Sequence, residues 1–265
     1  MKCIIVIAGA SGEIGTAFVR KFVNRFPVIG ISRTSKSREI HKNLSWIHVD
    51  LTKPIEVEKA FSDLDFSAYE KVILLHNVGL DKFENVNFPL IEPLRTIDEK
   101  VYDSNVNTYK YIASLFISKI EKERVRGSKT ELVLSSLAGV ADKHGMIFLT
   151  SFVESKNIVR MYMQNATREF PWVSALVINV TSTVTKSALL VRPYAKIDST
   201  WLLPQEVAEE AVPKLLRKKK GYSEVDIIKH DPHFDDYYKS NKRMFKKWSR
   251  EVWGPKGKPK RSALS

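Results

Sequence analysis

One cysteine in 265 residues, Cys3, leaves the chain unable to close an internal disulfide or to build a zinc site from thiolates. That scarcity favours a reducing compartment, and Cys3 itself, inside an apolar run, reads as a small core residue of a strand. Long hydrophobic runs are missing too: none approaches the ~18 residues of a membrane helix. The opening "MKCIIVIAGASG" has one lysine and too short an apolar stretch for a secretory signal, so a cytoplasmic protein is expected. Acidic residues are scarce at one end only. Residues 239–265 hold ten Lys/Arg against one Glu, which leaves just +4 of the formal +13 to the other 238 residues. The basicity therefore belongs to a tail and not to the fold. No nucleic-acid motif accompanies it, so an acidic protein is a better partner for the tail than DNA.

What is present is a repeating order of short β-branched runs and longer helical patterns. "KCIIVIA", "PVIGIS", "LSWIHV", "KVILLH", "ELVLSS" and "VSALVIN" read as strands, near-continuously apolar, as strands covered on both faces must be, and "YSEVDII" is expected to follow as a further strand. Helices are expected over 13–25, 54–64, 99–122, 151–170 and 204–217, the last with Pro204 in its first turn and Gly221 beyond its end. This β-α alternation predicts an α/β fold, a doubly wound parallel sheet with right-handed crossovers. One domain over 1–238 is expected, followed by a basic amphipathic helix and a disordered tail over 239–265.

"AGASGEIG" follows the first strand and opens the first helix, spacing Gly9, Gly12 and Gly15 three residues apart. Glycines there allow a tight turn, close approach of a pyrophosphate to the backbone, and close packing of helix on strand. The helix N-terminus then offers free N–H groups to phosphate. Ser11 and Ile14 complete the expected cofactor-binding turn, and Glu13 reads as a first-turn partner of the helix dipole. At the end of the second strand, "ISRTSKSRE" supplies Ser32 and Arg33 but no carboxylate before Glu39. A carboxylate there would take the ribose 2′-hydroxyl, whereas Arg33 offers a fork to a 2′-phosphate, so NADP(H) is favoured over NAD(H).

From residue 1 to about 230 these segments resemble the short-chain dehydrogenase/reductase family, which implies a Rossmann fold and an NADP(H)-dependent oxidoreductase acting on a carbonyl/alcohol pair. "HVDLT" resembles the segment bordering the adenine, with Asp50 and Leu51. "HNVG" resembles N-N-A-G, with Asn77 and Gly79 retained and His76 in place of the first asparagine. "NVNTY" resembles the helix bearing the active-site asparagine, matched by Asn107. "VLSSLAG" resembles the strand end bearing the catalytic serine, matched by Ser136 with Ser135 as the alternative. "FVESK" stands where the family has Y-x-A-S-K. The resemblance implies that Lys156 holds the nicotinamide ribose, that Ser136 polarises the carbonyl, and that Asn107 supports a water chain to the lysine.

Phe152 takes the place of the tyrosine that moves the substrate proton, and a phenyl ring has no proton to move. Losing a positioned general acid costs about 10²–10⁴-fold. The expected alternatives are therefore an enzyme with a non-standard donor and a catalytically silent NADP(H)-binding sensor or scaffold. Candidate donors are His144, in the "ADKHGMIFL" insertion, Tyr194, and Thr150 or Ser151, which more naturally cap a helix. After the sixth strand "NVTSTVTK" puts Thr181 and Ser182 where the family has Pro-Gly, and Thr185 is the expected cofactor contact. Helices 99–122 and 151–170 are apolar on two faces, which suggests a homo-oligomer. In the tail, Met244, Phe245, Trp248 and Val252 fall at helical spacing, a stripe expected to dock on its own domain or on a neighbouring subunit.

Overall fold

The computed structural model describes residues 2–34, 40–82, 97–144, 149–229 and 240–256. Seven strands form its centre: β1 (Cys3–Ala8), β2 (Val28–Ser32), β3 (Leu44–His48), β4 (Lys71–His76), β5 (Glu131–Gly139), β6 (Val173–Val180) and β7 (Gly221–Ile227). All pair in parallel, in the order β3-β2-β1-β4-β5-β6-β7. β1, β2, β4 and the middle of β5 and β6 are buried, which is why their sequences carry no polar alternation. The chain order reverses beside β1, between β2 and β4, and such a switch point opens a crevice at the carboxyl ends of the strands.

Helices cover both faces. α2 (Pro54–Ala60), α4 (Thr108–Val125) and α5 (Thr150–Glu169) pack one side through Val57, Phe116, Ile120, Val159 and Met163. α1 (Glu13–Phe22) and α7 (Pro204–Arg217) pack the other through Phe18, Phe22, Val207 and Leu215. α7 starts where Pro204 predicts it, because Pro loses nothing at a first helical turn and Glu206 accepts the Leu203 N–H at 2.6 Å. A four-residue α3 (Glu99–Tyr102) precedes α4, and a short α6 (Lys186–Val191) follows β6. The helix expected over 99–122 is not continuous: a π-helical turn, Asp103–Asn107, divides it.

Residues 240–256 of the basic tail fold back, and the disordered end expected after them lies outside the described residues. α8 (Asn241–Trp253) is capped by the Ser240 hydroxyl and stopped by Gly254 at φ +86°. Met244 and Trp248 are buried in a third cluster with Val140, Ala141, Leu149 and Val153, with Phe152 packed beside them. The stripe thus docks on its own chain, over the inserted segment. On α5, Val159 and Met163 face the core, while Met161 is 62% exposed.

Candidate functional site

A groove of about 1010 Å³ follows the carboxyl edge of the sheet. Its walls include Gly9, Ser11, Gly12, Ile14, Ser32, Arg33, Asp50 and Leu51 at one end, and Phe152, Lys156 and Thr185 at the other, with Asn77 and Gly79 between. The glycine turn shapes the first end. Gly9 has φ +75°, and a Cβ on it would sit 2.6 Å from the Asn77 carbonyl oxygen. Gly15 does not reach the groove. A Cβ there would lie 2.1 Å from the Gly9 carbonyl oxygen, so its bare backbone lets α1 close on the turn. A Cβ on Gly12 would meet only the Gly9 carbonyl oxygen, at 3.4 Å, and the Gly12 N–H donates to that same oxygen at 3.1 Å, closing the turn tightly. Glu13 turns aside, its carboxylate accepting the Lys186 N–H at 2.6 Å across the mouth. Such a cradle fits a pyrophosphate.

On the adenine side, Asp50 accepts both the N–H and hydroxyl of Thr52, at 3.0 and 2.8 Å. The Thr52 N–H is the main cause holding this carboxyl below its usual range, helped by the Arg33 charge. Arg33 is exposed and the Ser32 hydroxyl donates to the Thr34 carbonyl at 2.7 Å.

At the other end, Lys156 projects from α5 with its ammonium 5.4 Å from the Phe152 ring centroid. Burial is the largest influence on this amine and pulls its pKa below the ordinary lysine value, against the opposing pull of Asp142 and Asp81. Phe152 and Lys156 share a helix face because four residues make just over one turn. Thr181 to Thr185 rise from β6 along the groove, held by Leu202, whose N–H donates to Ser182 and whose carbonyl accepts from Val184. No described non-glycine residue has positive φ, so the chain passes Thr181 and Ser182 without backbone strain. Arg192 closes this end: its guanidinium stacks 4.4 Å from Trp201, donates to the Ser182 hydroxyl at 2.8 Å and meets Glu251 of α8 at 3.3 Å.

Three expected residues sit elsewhere. Asn107 points back along its helix, donating to Asp103 at 2.6 Å, and does not line the groove. Two positions along a helix lie on nearly opposite faces, and Asn105 is the buried one. Its side chain accepts the Leu80 N–H at 2.7 Å and donates to Ser155 at 2.9 Å. It also borders Gly79 together with Lys156: a Cβ on Gly79 would meet the Lys156 amine at 3.3 Å and the Asn105 oxygen at 3.4 Å. The repeated Asn in "NVN" was the signal, and the π turn decided between them. Ser136 lies below the groove, its hydroxyl directed to the Leu137 carbonyl at 3.4 Å. β5 continues pairing with β6 to Gly139, three residues past the end of its pairing with β4, so Leu137, Ala138 and Gly139 form the rim instead. Ser135 is directed to the Leu176 carbonyl on β6 at 2.7 Å.

Among the proposed donors, Tyr194 is half exposed and does not line the groove; its N–H donates to Glu251 of α8. The Ser151 hydroxyl accepts the Asp98 N–H at 2.9 Å, tying α3 to α5. His144 ends the 3-10 turn Val140–His144, and residues 145–148 lie outside the described residues. Sequence reading passed over Asp142 in that same turn. It lines the groove, is only 3% exposed, and accepts the Gly139 N–H at 2.6 Å.

This architecture is the Rossmann fold seen in solved short-chain dehydrogenases/reductases. A 3-ketoacyl-(acyl-carrier-protein) reductase from Brucella melitensis complexed with NADH shares 19% identity, at TM-score 0.65, over 85% of this chain and 96% of the other. A short-chain dehydrogenase from Burkholderia cenocepacia in complex with NADP shares 14%, at TM-score 0.67, over 85% and 87%. ElxO carrying a tyrosine-to-phenylalanine change, with NADPH bound, shares 15%, at TM-score 0.67, over 85% and 98%. No protein-family model and no curated protein matches the chain. Among the described residues no helix is long and apolar enough to cross a membrane, and no cluster suits a metal ion.

Proposed function

We propose that the protein is an NADP(H)-dependent oxidoreductase for a small carbonyl/alcohol pair, working with a proton donor other than tyrosine. The observation that carries this reading is the continuity of the groove from the glycine turn to Lys156. Gly9, Ser11 and Gly12 suit the pyrophosphate, Asp50 and Leu51 the adenine, and Asn77, Gly79, Lys156 and Thr185 the nicotinamide half. Arg33 at the end of β2 supports a 2′-phosphate, since no described carboxylate on that strand competes for the ribose hydroxyls. When bound, such a cofactor supplies or accepts a hydride. Lys156 holds the ribose, and Asn105 beside it takes the place expected of Asn107. A neighbour of the same fold that retains NADPH after exchange of a tyrosine for phenylalanine supports cofactor binding without that hydroxyl.

Phe152 favours a second reading, a cofactor-binding protein that does no chemistry and meets a partner through its basic tail or a second copy of itself. Calorimetric titration with NADPH, with NADH as control, tests what the two share. Binding with at least tenfold preference for NADPH is expected for either; no binding at millimolar cofactor overturns both. Hydride transfer to a panel of aldehydes and ketones then separates them.

A further inference from the structure

We propose that Asp142 is the catalytic residue that gives and takes the proton of the reacting oxygen, in place of the tyrosine hydroxyl that Phe152 lacks. This rests on the oxidoreductase reading above. Asp142 stands in the turn that the insertion between β5 and α5 adds, and its side chain lines the same end of the groove as Phe152 and Lys156. Its two oxygens are in different surroundings. Oδ2 accepts the Gly139 N–H at 2.6 Å and lies 3.8 Å from the Arg160 guanidinium. Oδ1 lies on the open side of Gly139, 2.8 Å from where a Cβ on that residue would stand, and both residues line the groove.

The surroundings suit a group that must hold a proton and then lose it. Burial outweighs every other influence and pushes the Asp142 carboxyl up to about 7, against the Gly139 N–H, Arg160 and Lys156, which favour the charged form. The groups facing it are Arg160 and Lys156 from α5, Asp81 after β4, and the Gly139 amide from β5. Arg160 is itself shared. It donates to Asn179 at 2.8 Å and pairs with Glu224 of β7 at 3.5 Å, while Asn179 donates to Glu224 and Asp226, each at 2.9 Å. Asp226 is in turn paired with Lys143, the neighbour of Asp142 in the chain, at 2.6 Å. With its charge divided in this way, Arg160 leaves Asp142 without a full counter-ion and able to be neutral near pH 7. A buried carboxyl tuned to neutrality suits a general acid.

The step balances. As the carbonyl carbon gains the hydride, its π pair moves to oxygen, the Oδ1–H bond of Asp142 breaks, and that proton joins the oxygen. The carbonyl is thereby reduced to an alcohol by the hydride that a bound dihydronicotinamide would supply, itself becoming oxidised, and Asp142 is left as a carboxylate facing Arg160, Lys156 and the Gly139 N–H. The reverse reaction uses that carboxylate as base.

Two measurements on the full chain test this. The Gly139 amide, hydrogen-bonded to Asp142, reports its titration in nitrogen-15 NMR of the wild type without cofactor. A midpoint near 7, absent in Asp142→Asn, is expected, and a midpoint near 4 overturns the proposal alone. In single turnovers with NADPH and 4-nitrobenzaldehyde, Asp142→Asn is expected to slow hydride transfer 10²–10⁴-fold while the calorimetric Kd for NADPH moves less than threefold. An unchanged rate overturns the proposal, as does wild type that binds NADPH yet transfers no hydride. Wild type that fails to bind NADPH overturns the oxidoreductase reading and the proposal with it.

Discussion

At the scale of single residues, the proposal turns on an aromatic side chain that carries no hydroxyl. Phe152 lies one helical turn from Lys156, whose ammonium lies over the ring face at cation–π range. Restoring the hydroxyl is therefore a direct test of where the proton comes from. Phe152→Tyr placed on Asp142→Asn is expected to recover at least tenfold in hydride transfer, with the Kd for NADPH unchanged; stopped-flow absorbance of the dihydronicotinamide reads it. No recovery argues that the groove does not bring the substrate oxygen to position 152. Gly15 makes a different kind of demand, since its Cβ would meet backbone atoms that cannot step aside. Gly15→Ala is expected to destabilise the fold by about 3 kcal/mol, measured by urea unfolding. A loss below about 0.5 kcal/mol, the ordinary surface effect, contradicts that close approach.

At the scale of elements, what the sequence disclosed follows from how local the signal is. The six apolar runs form β1 to β6, "YSEVDII" falls on β7, and Pro204 marks the start of α7, because burial and proline sterics act within a few residues. The π turn at Asp103–Asn107 left no such mark, since its one-residue change in winding comes from packing against α3 and α5, so Asn107 was matched where Asn105 faces inward. Ser136 stays off the groove wall for a similar reason: a motif does not reveal that β5 pairs with β6 three residues further than with β4. Asp142 was passed over because nothing in "VADKHG" reveals burial. α8 was legible as an amphipathic helix but not as a wall of the site, a role that Trp248 and the Arg192–Glu251 pair give it. Met244 is fully buried there among only a few neighbours. Met244→Ala is expected to cost about 2 kcal/mol, expressed as local undocking and not as global unfolding. Hydrogen exchange should then rise across 240–254 and around Leu149–Val153 while β1 and β4 stay protected. Unchanged exchange in α8 would show that its polar ties, Arg192–Glu251 and Lys247–Asp198 among them, hold the helix without Met244.

At the scale of the whole molecule, two buried groups pull stability in opposite directions with pH. His76 is buried at the end of β4, with Nε2 on the Thr108 hydroxyl at 2.9 Å, and desolvation lowers its pKa to about 3. Between that value and the ordinary ~6.5 the unfolded chain holds a proton that the folded protein does not, so stability falls as the pH is lowered. Asp142, raised to about 7, does the reverse. Between the ordinary ~3.9 and 7 the folded protein holds the extra proton, so stability falls as the pH rises. Each slope is about 1.4 kcal/mol per pH unit, and across pH 4 to 6.5 the two offset each other. Urea midpoints at half-unit steps through that window should separate them. Relative to wild type, Asp142→Asn is expected to gain stability with rising pH, His76→Asn to lose it, by about 3 kcal/mol each over the window, and the double variant to run parallel to wild type. Single variants that track wild type at every pH would mean that neither group keeps its unusual charge state in the fold, and Asp142 would then have no proton to give at neutral pH.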